Sequence, residues 1–190
     1  MGAGARRGRK TGFGNEGKQQ MAIIGNPKYE ERINDHIAKY ETKRSAVMPL
    51  LYIAQEEYGW VNQDGINEVA QILNLDPTQV KSIAGFYTMY SEKPKGRYWL
   101  QVCTDLPCAL QGADDFHAWL KEELGVEEGG VSADGMFTVE HVMCLAACDK
   151  APMLQCNFRY VENLDQDKMR ALLAKWRAEA AAEMNGRGQG

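Results

Sequence analysis

The sequence predicts an α+β protein, with a small helical bundle over residues 26–92 followed by a mixed-sheet domain over residues 97–180. Three observations carry that prediction. Apolar residues recur at helical spacing through the first half, and the pattern turns strand-like after a polar, Pro/Gly-containing break at residues 91–96. The second half then reads strand, helix, strand, strand, strand, helix, the order of a small domain with one mixed sheet flanked by helices.

In chain order, residues 1–25 are assigned to a disordered basic arm. The first 20 are glycine-rich and basic with almost nothing apolar to bury. They lack the serines and the apolar face of a mitochondrial transit peptide. Asn26 caps a first helix with Pro27 at its first position, and Tyr29, Ile33, Ile37 and Tyr40 share its face. Ser45 is placed to cap a second helix bearing Val47, Leu50, Leu51, Ala54 and Tyr58. Pro49 lies in its first turn and Gly59 ends it. A third helix carries Ile66, Val69, Ala70 and Leu73. The fourth has the strongest signal: Asp76 caps, Pro77 follows, Gln79 completes a capping-box pattern, and Leu75 with Val80 forms a hydrophobic staple.

Beyond the break, the alternation from Tyr98 to Val102 predicts a strand. Ala113, Phe116, Leu120 and Leu124 make a helix face, and residues 125–135 a Gly-rich loop. Met136 to Val142, Met153 to Cys156 and Arg159 to Val161 are three further strands. Asp165 caps a last helix that turns Met169, Leu172, Leu173 and Trp176 inward, and residues 181–190 read as a flexible tail.

The bulk numbers exclude several classes. The chain has 190 residues, 44% hydrophobic and 25% charged, an ordinary globular profile. It contains no apolar run approaching a membrane span and no signal-peptide core, which predicts a cytoplasmic protein whose membrane association comes only through partners. Net charge is −4, yet the first 20 residues carry +4 and the remainder −8. A basic arm on an acidic body argues against nucleic-acid binding by the folded part. The sequence holds no Walker or G-x-S-x-G motif and no G-x-G-x-x-G between a predicted strand and a helix, so no nucleotide site or hydrolytic nucleophile, and no catalytic residue, is predicted on it.

Chemistry concentrates in four of the five cysteines. Cys103 and Cys108 form a C-x4-C pair, Cys144 and Cys148 a C-x3-C pair, and 35 residues separate the two. Close-set cysteines in a cytosolic chain are more often metal ligands or redox groups than disulfides. Each pair follows a predicted strand, and two rigid loops at one end of a sheet suit a [2Fe-2S] rhomb, two thiolates per iron. Leu145, Ala146 and Ala147 are uncharged, and the two alanines let backbone N–H groups approach sulfur while Leu145 excludes water. Pro107 fixes the backbone before Cys108. Structural zinc is the alternative, because C-x3-C fits its spacing and C-x4-C is only slightly long; unligated thiols are a third reading. Plant-type ferredoxin spacing, a Rieske histidine pair and a thioredoxin C-x-x-C are absent. Cys156 reads as a buried strand thiol. His36, His117 and His141 read as structural or solvated.

The runs VCTDLPCALQGAD and MCLAACDKAPM resemble the thioredoxin-like [2Fe-2S] subunit family of respiratory complex I, its 24-kilodalton subunit. AGFYTMYSEKPKG and IAQEEYGWV resemble it too, and the likeness covers roughly residues 28–178. It implies a helical N-terminal part and a thioredoxin-like ferredoxin domain, with Cys103, Cys108, Cys144 and Cys148 as the iron ligands. It also implies a role as electron-transfer subunit of an NADH:quinone oxidoreductase. The expected partners are a flavoprotein that holds FMN and NADH, neither bound by this chain, and a further iron–sulfur subunit of the peripheral arm. The expected place is the cytoplasm or the cytoplasmic face of the inner membrane. Related modules serve soluble NAD-linked hydrogenases and formate dehydrogenases. One departure stands out: many members carry glycine where this chain has Ala146, and alanine disfavours positive φ.

Overall fold

The computed structural model describes residues 22–187, so the predicted arm lies outside the described residues as far as residue 21. The chain divides between Tyr90 and Ser91 into two compact units.

The first unit is helical: α1 (Pro27–Ala38), a 3-10 turn (Lys43–Ala46), α2 (Val47–Tyr58), α3 (Gln63–Leu73) and α4 (Pro77–Phe86). Local chemistry sets these limits. The Asn26 side chain accepts from the Lys28 amide ahead of Pro27, and Asp76 accepts from Thr78 ahead of Pro77. Gly59 at φ 77° and Asn74 at φ 53° end α2 and α3 in the left-handed conformation. Tyr29, Leu51, Ala54, Val69, Leu73 and Val80 meet in one apolar core.

Two expectations are corrected here. Ser45 does not cap α2; it lies inside the preceding 3-10 turn, where its hydroxyl meets that of Thr42 at 3.0 Å. The arm also stops short of residue 25. Ile23 is buried, and the backbone amides of Ala22, Ile23 and Ile24 donate to the Glu68 carboxylate at 3.1, 2.9 and 2.7 Å. The Tyr58 hydroxyl donates to the same group. Burial pushes the Glu68 pKa up, but the Tyr58 hydroxyl and the three amides outweigh it and hold the carboxyl below its ordinary value.

The second unit contains β1 (Tyr98–Cys103), α5 (Leu106–Ala109), α6 (Ala113–Leu124), β2 (Phe137–Val142), β3 (Leu154–Cys156), β4 (Arg159–Val161) and α7 (Gln166–Arg187). The sheet order is β2-β1-β3-β4. β1 and β2 are parallel, as a crossover through α6 allows, whereas β1–β3 and β3–β4 are antiparallel. Strand alternation sorts the side chains. Leu100, Val102, Phe137, Val139, Leu154 and Cys156 enter the core with Phe116 and Leu120 of α6 and Met169 and Leu173 of α7. The interleaved residues build a polar network. Glu140 accepts from Trp99 Nε1 at 2.6 Å, Gln101 Nε2 at 3.2 Å and Lys95 Nζ at 2.8 Å, and Gln155 Nε2 donates to Gln101 at 3.0 Å. The buried polar groups of this network are thereby satisfied.

Of the predicted tail, residues 181–187 are helical, since α7 continues to Arg187, and residues 188–190 lie outside the described residues. Ala178, Ala180, Ala181 and Ala182 are strong helix formers, Ala180 is buried, and Glu183 pairs with Arg97. Among the described residues no helix is long and apolar enough to cross a membrane.

Candidate metal centre

The four paired cysteines lie at one end of the sheet, and each is placed by a distinct local device. Cys103 is the last residue of β1 rather than a loop residue, and its amide donates to the Met153 carbonyl at 3.3 Å. Thr104 N then donates to Val142 O at 3.1 Å, tying the end of β1 to that of β2. Cys108 sits on the helical turn α5, with Pro107 in its first turn, and its amide returns to Asp105 O at 2.9 Å. That turn is an addition to the predicted loop. Gly112 at φ 85° breaks the chain between α5 and α6. Cys144 follows β2, and Cys148 opens a 3-10 turn (Cys148–Lys150).

The pairs differ in burial. Cys103 and Cys108 are buried and pack with Ala113 and Met153, while Leu145, Ala147 and Ala151 close over them. Cys144 and Cys148 are exposed. Burial pushes the Cys108 thiol up, Cys103 hydrogen-bonded beside it adds to this, and Cys148 and Cys144 contribute from the other loop. The Cys148 thiol is raised by desolvation first, then by Cys144 and Cys103. The thiols of the two pairs thus act on one another electrostatically.

None of the four is in a disulfide. Among the described residues no group of three or more His, Cys, Asp or Glu converges on a single ion position. A binuclear cluster makes a different demand, two thiolates on each of two irons. The donor set fits that group: two cysteine pairs, uncharged residues between the exterior ligands, and an N–H aimed at sulfur. That donor is Ala146 N, 3.3 Å from Cys144 Sγ. Ala146 takes φ 60°, the left-handed conformation that glycine adopts freely.

Three other residues escaped the sequence reading. Met153 is fully buried and packs in one cluster with the interior cysteines. Tyr160 donates its hydroxyl to the Leu145 carbonyl at 2.6 Å, inside the second cysteine loop. Glu128 gathers His141, His117 and Lys121 at 3.0, 3.1 and 3.3 Å. Burial raises the Glu128 pKa, but the His141 amide and ring, with His117 and Lys121, bring it below its ordinary value. Burial lowers that of His117. Nothing local marks these contacts; the Glu128 partner His141 is 13 residues away, and Leu145 is 15 from Tyr160. Cys156 stands apart from the four, buried in β3, its thiol pushed up to about 12 by burial.

The model of the family described as thioredoxin-like [2Fe-2S] ferredoxin matches residues 33–177. The chain belongs to this family. Its fold is accordingly thioredoxin-like in the second unit. Among members similar to it, NADH-quinone oxidoreductase subunit 2 of Thermus thermophilus is 41% identical over 152 residues, covering 78% of this chain and 84% of that one. An NADH-quinone oxidoreductase subunit of Rhizobium meliloti is 40% identical over 148 residues, with coverage of 78% and 88%. Another, from Rickettsia bellii, is 42% identical over 146 residues, with coverage of 75% and 87%. A crystal structure of a NAD+-reducing [NiFe]-hydrogenase in the air-oxidized state matches with TM-score 0.60 and 22% identity, over 68% of this chain. The chain spans 23% of that hydrogenase chain, and the likeness shows the shared fold.

Proposed function

We propose that this chain is the [2Fe-2S] electron-transfer subunit of an NADH:quinone oxidoreductase, seated beside a partner flavoprotein that carries FMN and binds NADH. The observation that carries the reading is the placement of Cys103, Cys108, Cys144 and Cys148 as two pairs at one end of the sheet, in a chain of this family. Those four thiolates would hold the cluster. Bound there, it supplies a one-electron acceptor and donor. Cys103 and Cys108 would anchor it from the interior, where Met153 and Ala113 are buried with them and exclude water. Cys144 and Cys148 reach it from the exposed side, toward which a partner would pass electrons. Leu145 and Ala147, packed against the interior pair, limit solvent access. The Ala146 amide supports negative charge on sulfur.

The helical unit is assigned to the flavoprotein interface, and a further iron–sulfur subunit is the next expected neighbour. The assembly would lie at the cytoplasmic face of the membrane. A soluble NAD-linked hydrogenase is the second reading, motivated by the hydrogenase fold likeness at 22% identity. Identity of 41% to an NADH-quinone oxidoreductase subunit favours the first. Purification of the native assembly tests the choice. Recovery with a quinone-reducing membrane complex is expected; recovery with a soluble hydrogenase would overturn it.

A further inference from the structure

Both polar ends of one peptide group in the second cysteine loop are engaged. Its carbonyl, on Leu145, accepts from Tyr160 Oη at 2.6 Å, and its N–H, on Ala146, donates to Cys144 Sγ at 3.3 Å. A trans peptide is planar, with its C=O and N–H pointing in opposite directions, so holding one end aims the other. The conformation that does this is a costly one for alanine: at φ 60° the Cβ crowds the backbone. Something outside the loop must hold it, and the Tyr160 hydroxyl is placed to do so.

Tyr160 is itself fixed by the sheet. Asn157 and Phe158, at φ 45° and 66°, form the two-residue turn between β3 and β4. Asn157 Oδ1 accepts from Trp99 N at 2.9 Å, and β4 pairs Tyr160 with Gln155. The Tyr160 ring is half exposed, so its hydroxyl, and not core filling, is its distinguishing contact.

We propose that Tyr160 is a positioning residue. Through the Leu145 carbonyl it holds the Ala146 amide on Cys144 Sγ, and so raises the electron affinity of the group those thiolates bind. The inference rests on the reading that Cys144 ligates a [2Fe-2S] cluster. Reduction adds negative charge that spreads onto the ligand sulfurs, and an N–H donor stabilises it. Without the hydroxyl, the peptide turns as Ala146 relaxes toward negative φ, and the donor is lost.

The test uses the full chain with its cluster, comparing wild type, Y160F and Y160F/A146G. Iron and sulfide are measured first, then the midpoint potential by EPR-monitored titration. Y160F is expected to keep its iron and to lose about tenfold in the reduction equilibrium, a midpoint about 59 mV more negative. The double variant should recover part of that shift, because glycine carries no penalty at the required φ. Deuterium exchange of the peptide containing Ala146, followed by mass spectrometry, should be faster in Y160F than in wild type. A fully loaded Y160F with an unchanged midpoint overturns the proposal, as does loss of iron from Y160F. Absence of iron from the wild type would instead remove the cluster reading beneath it.

Discussion

Five cysteines share this chain, and their surroundings assign them different work. Cys156 faces the apolar core between β1 and the two helices, out of the group formed by the other four. Its replacement by alanine is expected to leave the cluster in place and cost about 1 kcal/mol of stability, read by denaturant unfolding. Replacement of Cys144 by alanine is expected to abolish the [2Fe-2S] EPR signal on reduction. A normal signal from C144A would refute its ligand role. Ala146 shows why spacing alone leaves part of the site unread. The sequence flags the alanine as unsuited to positive φ, yet the chain takes φ 60° there. The residue that offsets the cost, Tyr160, comes from the next hairpin and leaves no local trace.

Most elements could be read from short-range signals. Asn26–Pro27 and Asp76–Pro77 start helices as capping chemistry demands, and Gly59 ends one. Ser45 misled because a cap is useful only where the chain enters a helix directly, and here a 3-10 turn intervenes. The end of α7 was underestimated because glycine and polar residues suggested fraying, whereas the alanine run and the Arg97–Glu183 pair extend it. Glu68 was invisible for another reason: its partners at residues 22–24 lie 44 to 46 positions away. E68Q is expected to lose about 1–3 kcal/mol at pH 7, measured by chemical denaturation. The sign with pH follows from the depressed carboxyl pKa. The unfolded chain takes up the proton first, so the contribution is whole above the ordinary carboxylate value. It fades as pH falls through the lowered one, and the gap between wild type and E68Q should narrow there. A gap that stays constant into acid would count against this account. Gly96 makes a separate point about the sheet. A Cβ there would sit 2.6 Å from the Phe137 backbone, next to the Gly96 N–Thr138 Oγ1 bond of 2.8 Å. G96A should therefore cost about 1–3 kcal/mol, seen as a lower unfolding midpoint in urea; a midpoint equal to wild type would show that the strand edge yields freely.

On the scale of the whole molecule, the two units have separate cores and, on our reading, separate tasks. The second unit contains every cysteine, while the first contributes none and is assigned to partner binding. Deleting residues 26–90 is expected to abolish co-purification with the flavoprotein. Undiminished recovery of the partner would move the interface onto the cluster-bearing unit. The role of the four cysteines is open to a more direct measurement, iron, zinc and acid-labile sulfide content of the purified chain. Two irons and two sulfides per chain, with an EPR signal on one-electron reduction, are the predicted result. One zinc with neither iron nor sulfide would contradict it.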